Sequence, residues 1–172
     1  MRVYLIGMPG SGKTTLGKRL AKLLQFTFVD MDVLITEQEQ MPVSDVFKIK
    51  GEAYFRTLES QVLLHTTALT QVVIATGGGT PCFFDNMDVM NAAGVTVFLD
   101  VSVGTLALRV GGNSHTQSTR PLFAGKSEPE LLDALNNMRQ LRLPFYTQAQ
   151  VNVAEAELNA DQVYQKIKRF TE

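Results

Sequence analysis

Apolar positions along this chain fall into two alternating textures. Short unbroken runs rich in β-branched residues, Val3–Ile6, Thr27–Val29, Val72–Ala75 and Val95–Leu99, predict strands buried on both faces. A weaker run, Gln150–Val153, predicts a fifth strand. Between the runs the apolar spacing changes to three and four residues. This predicts helices over Thr14–Leu24, Val33–Gln38, Val43–Lys48, Glu52–Thr66, Asp85–Ala92, Gly104–Arg109, Pro129–Leu141 and Asp161–Phe170. Such alternation makes a five-stranded parallel sheet with helices on both faces, the three-layer doubly wound α/β class.

Two segments break the rhythm. From about residue 32 to 66 several helices stand where one crossover helix would serve, which predicts an inserted substrate-binding lobe. The segment Gly111–Gly125, reading GGNSHTQSTRPLFAG, is polar, glycine-rich and about as long as structureless loops become in compact domains. It reads either as a lid that shields a reaction from water or as an idle surface loop.

Composition narrows the function classes. The 172 residues, 45% of them apolar, fit one domain over 1–172 with a full core. Sixteen basic and 17 acidic side chains leave a net charge of −1, so no global field favours nucleic acid or an anionic membrane, and any cationic site is local. The apolar run after Arg2 is too short for a signal peptide and no stretch approaches a membrane span, so a cytoplasmic protein is expected. Cys82, the sole cysteine, excludes an internal disulfide or cysteine zinc cluster and reads as a small, partly buried apolar side chain.

Chemistry enters at Gly7-Met8-Pro9-Gly10-Ser11-Gly12-Lys13-Thr14, which has the spacing G-x-x-x-x-G-K-[ST] between a strand and a helix. Backbone N–H groups and a helix N-terminus can converge on phosphate oxygens there. Lys13 can reach the β- and γ-phosphates, and Thr14 can ligate Mg²⁺. The chain is therefore expected to bind a nucleoside triphosphate. Asp30 and Asp32, at the end of the second predicted strand and two residues apart, should point into the same crevice. One could support Mg²⁺ and the other accept a hydroxyl proton, although a helix cap explains such a pair equally well.

The run Gly77-Gly78-Gly79 after the third strand suggests close passage of a ligand, with a tight turn as the alternative. Arg56 and Glu59 share a helix face, either as a surface ion pair or as an arginine poised to grip an anion. Arg142 is the candidate second arginine, with Arg139 its competitor. Arg120, before Pro121 in the presumed lid, could act as an arginine finger in cis. Arg109 could contact nucleotide or simply complement a helix C-terminus. Asp100, ending an apolar strand, is a second possible Mg²⁺ ligand, ranked below Asp30. His65 and His115 have no partners at metal-ligand spacing.

Taken in order, GMPGSGKTT at 7–15, FVDMD at 28–32, FRTLE at 55–59, ATGGG at 75–79, TRPL at 119–122 and RLPFY at 142–146 resemble the shikimate kinases, P-loop small-molecule kinases. The resemblance implies transfer of the ATP γ-phosphoryl to the 3-hydroxyl of shikimate, in the chorismate route to aromatic amino acids, with Mg²⁺ as cofactor and a monomer as the expected state. It implies that Gly10, Ser11, Gly12, Lys13, Thr14 and Thr15 hold the phosphates, with Thr14 on the metal and Asp30 supporting it through water. Asp32 would bind the acceptor hydroxyls and serve as base. Arg56 and Arg142 would clamp the carboxylate, with Gly78 and Gly79 along the ring. Lys13 and Arg120 would stabilise the transferring group, and Arg109 would lie against adenine.

Two stretches depart from the pattern. The insert SHTQST lengthens the presumed lid, and Ala154–Ala160 stands where the family often carries an arginine-bearing loop, so a one-sided adenine clamp is expected. The rival readings are another small-molecule kinase, acting on gluconate or AMP, and a catalytically silent nucleotide-binding module. A GTPase is disfavoured because no N-K-x-D sequence occurs.

Overall fold

In a computed structural model, residues 1–111 and 125–170 are described. Five strands, β1 (Arg2–Ile6), β2 (Thr27–Asp30), β3 (Val72–Ala75), β4 (Val95–Asp100) and β5 (Val151–Ala154), form one sheet in the order β2-β3-β1-β4-β5. Every neighbouring pair is parallel. The helices are α1 (Lys13–Leu24), α2 (Met31–Glu39), α3 (Val43–Lys50), α4 (Glu52–Thr66), α5 (Asn86–Ala93), α6 (Val103–Gly111), α7 (Glu128–Tyr146) and α8 (Ala160–Ile167).

Alternation along β1 splits the interior into two cores. Val3 and Leu5 pack with Leu16, Leu20 and Ala21 of α1 and with Val163 and Ile167 of α8. Tyr4 and Ile6 face the other way, onto Met31 and Ile35 of α2, Leu58 and Leu63 of α4 and Leu135 of α7. Each such fully buried aliphatic side chain contributes roughly 1.5–3 kcal/mol, enough to hold a parallel sheet whose faces are otherwise bare.

Several boundaries differ from the sequence expectation. The strand expected to carry Asp30 and Asp32 ends at Asp30, which caps α2 by accepting a hydrogen bond from Asp32 N at 3.1 Å. Asp32 therefore projects from the first turn of a helix rather than from a strand face. The helix expected to stop at Leu141 continues to Tyr146 through Pro144, and the last helix ends at Ile167 before a short 3₁₀ turn over Lys168–Phe170. Of the presumed lid, Gly111 closes α6 and Gly125 forms a turn; the remainder lies outside the described residues. No described helix is long and apolar enough to cross a membrane.

Candidate active site

The carboxyl ends of β1, β2 and β3 open onto a cavity of about 780 Å³, where open parallel sheets bind ligands. One wall is main chain. Gly10 and Gly12 adopt φ of 83° and 95°, and Gly12 begins α1 without a side-chain cap, so no cap side chain occupies the N–H groups of the first turn. Lys13, only 9% exposed, donates from Nζ to Gly7 O at 2.8 Å and Met8 O at 3.0 Å. Gly10, Ser11, Gly12, Thr14 and Thr15 line the cavity beside it.

Asp30 serves two partners at once. Its Oδ1 caps α2, and its Oδ2 accepts from Thr14 Oγ1 at 2.8 Å. The cap and the metal-support readings are thus compatible in one carboxylate. Hard oxygen donors at a phosphate-binding helix start suit Mg²⁺, which needs few protein ligands when phosphate oxygens supply others. Asp32 is exposed and lines the same cavity.

The opposite wall is built of side chains. Arg56 on α4 donates from Nη1 to the buried Glu59 at 2.9 Å, and from Nε and Nη2 to Glu52, each at 3.3 Å. Three aromatic rings surround its guanidinium, with Phe83, Phe55 and Phe47 centred 4.2, 5.2 and 5.7 Å away. The surface ion-pair reading fails here, because Arg56 is 9% and Glu59 1% exposed.

The three consecutive glycines run directly beneath these groups. A Cβ on Gly77 would enter the Glu59 carboxylate, one on Gly78 would lie 3.0 Å from Arg142 Nη1 and from Pro9, and one on Gly79 would enter the Arg56 guanidinium. The groups that pass closely here are the protein's own side chains rather than a ligand, and Thr80 N donates to Gly77 O at 3.2 Å, so the glycines serve a turn as well as close packing, and consecutive residues bring the two guanidinium groups to one stretch of backbone. Arg142 Nη1 is buried without a hydrogen-bond partner among the described residues. An unsatisfied charged donor of this sort costs more than about 1–3 kcal/mol, a penalty that an incoming anion relieves.

One turn beyond Arg142, Tyr146 donates from its hydroxyl to Gly78 O at 2.5 Å and stacks against Phe98 at 5.1 Å. Burial pushes the Tyr146 phenol well above its usual range. The same cause pushes the Cys82 thiol up to about 11, although Arg142 and Arg56 pull it down.

At the nucleotide end, Arg109 Nη1 donates to Gly10 O at 3.3 Å and Ser11 O at 3.4 Å, so it lies along the phosphate loop. Of the stretch Ala154–Ala160, Leu158 lines the cavity. Glu155 instead accepts from Ser102 N at 3.0 Å, at the entry to α6. Asp100 is paired with Arg139 at 2.8 Å, and neither is among the described residues lining the cavity, whereas Asp30 and Arg142 are. His65 is exposed, and Arg120 and His115 lie outside the described residues.

Sequence reasoning gave no role to Phe47, Phe55, Phe83 or Tyr146. Phe47 and Phe55 lie on the adjoining helices α3 and α4, where their rings meet at 5.3 Å. Tyr146 carried a signal, since it stands one turn after Arg142 and shares its helix face.

The shikimate kinase family model matches residues 9–172. A shikimate kinase of Parabacteroides distasonis is 44% identical over 164 residues, spanning 95% of this chain and 93% of the relative. One from Bacteroides fragilis is 46% identical over 149 residues, spanning 87% and 82%. The crystal structure of the shikimate kinase from Bacteroides thetaiotaomicron superposes with a TM-score of 0.88 at 41% identity, covering 99% of this chain and 96% of that one. A shikimate kinase from Acinetobacter baumannii, in complex with shikimate, gives 0.85 at 31% identity, covering 99% and 92%. The phosphate loop from Pro9 onward, the glycine floor and the arginine pocket fall inside the matched span, and the chain belongs to the shikimate kinase family.

Proposed function

We propose a division of labour for the reaction this membership entails, ATP-dependent phosphorylation of shikimate to shikimate 3-phosphate in aromatic amino acid biosynthesis. The loop Gly10–Thr15 holds the nucleotide phosphates on backbone N–H groups and the start of α1. Lys13 exchanges its carbonyl partners for β- and γ-phosphate oxygens. Thr14 and, through water, Asp30 would hold Mg²⁺, which would neutralise phosphate charge when bound. Arg109 and Leu158 border the base, with no arginine from Ala154–Ala160 to close over it.

The insertion spanning about 32–66 supplies the acceptor half together with the glycine floor and α7. Arg56 and Arg142 grip the shikimate carboxylate while the ring lies along Gly78 and Gly79. That grip turns the ring so that its 3-hydroxyl meets Asp32 and faces the γ-phosphorus. The hydroxyl oxygen bonds to phosphorus as the bond to the ADP oxygen breaks, and Asp32 takes the hydroxyl proton. Alignment and charge neutralisation supply most of the acceleration, as in other phosphoryl transfers. Arg120 is assigned to the transferring group on sequence grounds alone.

The observation that carries this reading is Arg142 Nη1, buried beside Gly78 with no hydrogen-bond partner among the described residues, next to the Arg56 site at Gly79. A cavity with a phosphate cradle on one wall and two guanidinium groups on the other fits a small hydroxylated carboxylate. ADP release measured with shikimate, gluconate and AMP tests it. Turnover should require shikimate, and turnover of gluconate or AMP without shikimate would overturn it.

A further inference from the structure

The turn that follows the glycine floor touches the carboxylate pocket from behind. Thr80, fully buried, donates from Oγ1 to Glu59 Oε1 at 2.6 Å, and the other oxygen of that carboxylate accepts from Arg56. Thr80 is itself fixed, because Asn86 Nδ2 donates to its carbonyl at 2.9 Å and Ser60 Oγ donates to Asn86 Oδ1 at 2.8 Å. Three residues on, the Phe83 ring sits 4.2 Å from the Arg56 guanidinium carbon, nearer than the rings of Phe55 or Phe47. Phe55 and Phe47 line the cavity; Thr80 and Phe83 are not among its lining residues.

The chain accepts backbone strain to make this turn. Phe84 adopts φ 51° with its ring 64% exposed, an unusual state for a bulky residue that gains little from burial. The reversal at Phe84 leads the chain from Phe83 into α5, whose first residue is the Asn86 that holds Thr80.

We propose that Thr80 and Phe83 are positioning residues for substrate selection: Thr80 fixes the Glu59 carboxylate, Phe83 backs the Arg56 guanidinium, and together they aim Arg56 at the acceptor's carboxylate. Neither touches substrate. The proposal rests on the reading of Arg56 as a carboxylate clamp. A guanidinium fixed in plane by Glu59 and stacked against a ring loses little freedom on binding, and its charge is directed at one point. Removing either support leaves the charge in place but frees its direction.

The test compares binding of shikimate with its methyl ester, which keeps the hydroxyls and lacks the charge, together with steady-state kinetics. Thr80→Val and Phe83→Leu should each raise the shikimate KM about 5–10-fold and narrow the acid-over-ester preference, with kcat and the ATP KM within about twofold of wild type. Thr80→Ser and Phe83→Tyr should restore both. Thermal melting identifies any variant that fails to fold, and the half-buried Phe83 provides a second route if Thr80→Val does. Loss of the preference in Arg56→Ala, with its retention in folded Thr80→Val or Phe83→Leu, would overturn the positioning role while leaving the clamp intact. Retention in Arg56→Ala would overturn the clamp itself and this proposal with it.

Discussion

The two walls of the cavity are built by opposite means. The donor wall is one contiguous stretch, Gly7–Thr15, in which backbone conformation does most of the work and Lys13 is held by carbonyls of its own loop. The acceptor wall is assembled from α2, α4, the glycine floor and α7, and its working groups are side chains held by other side chains. A contiguous motif can be carried on many folds, whereas the acceptor wall exists only once the whole sheet has formed. Change should therefore act differently on the two. On the donor wall it should strike catalysis broadly; on the acceptor wall it should separate substrate affinity from turnover.

The largest expected effect is on the donor side. Lys13→Met should lower kcat by about 10²–10³, through lost charge stabilisation of the transferring group, with shikimate affinity little changed by calorimetry. A comparable fall in shikimate affinity would erase the distinction between the walls. On the acceptor wall, Asp32→Asn should lower kcat by roughly 10² while the protein melts normally, as expected when a proton acceptor is lost. Normal turnover would remove Asp32 from that role.

A smaller effect is expected at the floor. Gly79→Ala forces the Arg56 guanidinium aside, so the shikimate KM should rise about tenfold with the ATP KM unmoved. The mildest effect concerns Cys82. With its thiol raised to about 11 by burial, it stays neutral at pH 8 and should react with iodoacetamide at least about tenfold more slowly than a free cysteine, accelerating as the pH climbs past 10. Reaction at the rate of a free thiol would show that the turn behind the acceptor wall opens readily to solvent.

The donor wall was legible in the sequence because its information is local: strand, glycines, lysine and helix follow one another. The α4 boundaries were equally legible, since Phe55, Leu58, Val62 and Leu63 mark one buried stripe. Asp32 was misplaced because a strand and a helix capped by Asp30 look alike over five residues. The end of α7 was missed for another reason. Pro144 argues for a stop, but it forfeits only one backbone hydrogen bond in the last turn, and the buried Tyr146, bonded to Gly78 O, holds that turn in place. The contact of Phe83 with Arg56 left no periodic trace, because it depends on the single reversed residue Phe84 between a 3₁₀ turn at Thr80–Cys82 and α5.

That Tyr146 bond has a mechanical consequence. Helix α7, 19 residues long, is a rod of about 28 Å, anchored at one end to the glycine floor and finished at the other by the capping box of Ser127 and Glu130. Arg142 sits one turn from the anchored end, a lever arm of only about 6 Å. A displacement of about 2 Å at the Ser127 end would therefore shift the Arg142 backbone by only about 0.4 Å, which insulates the pocket from changes at that end.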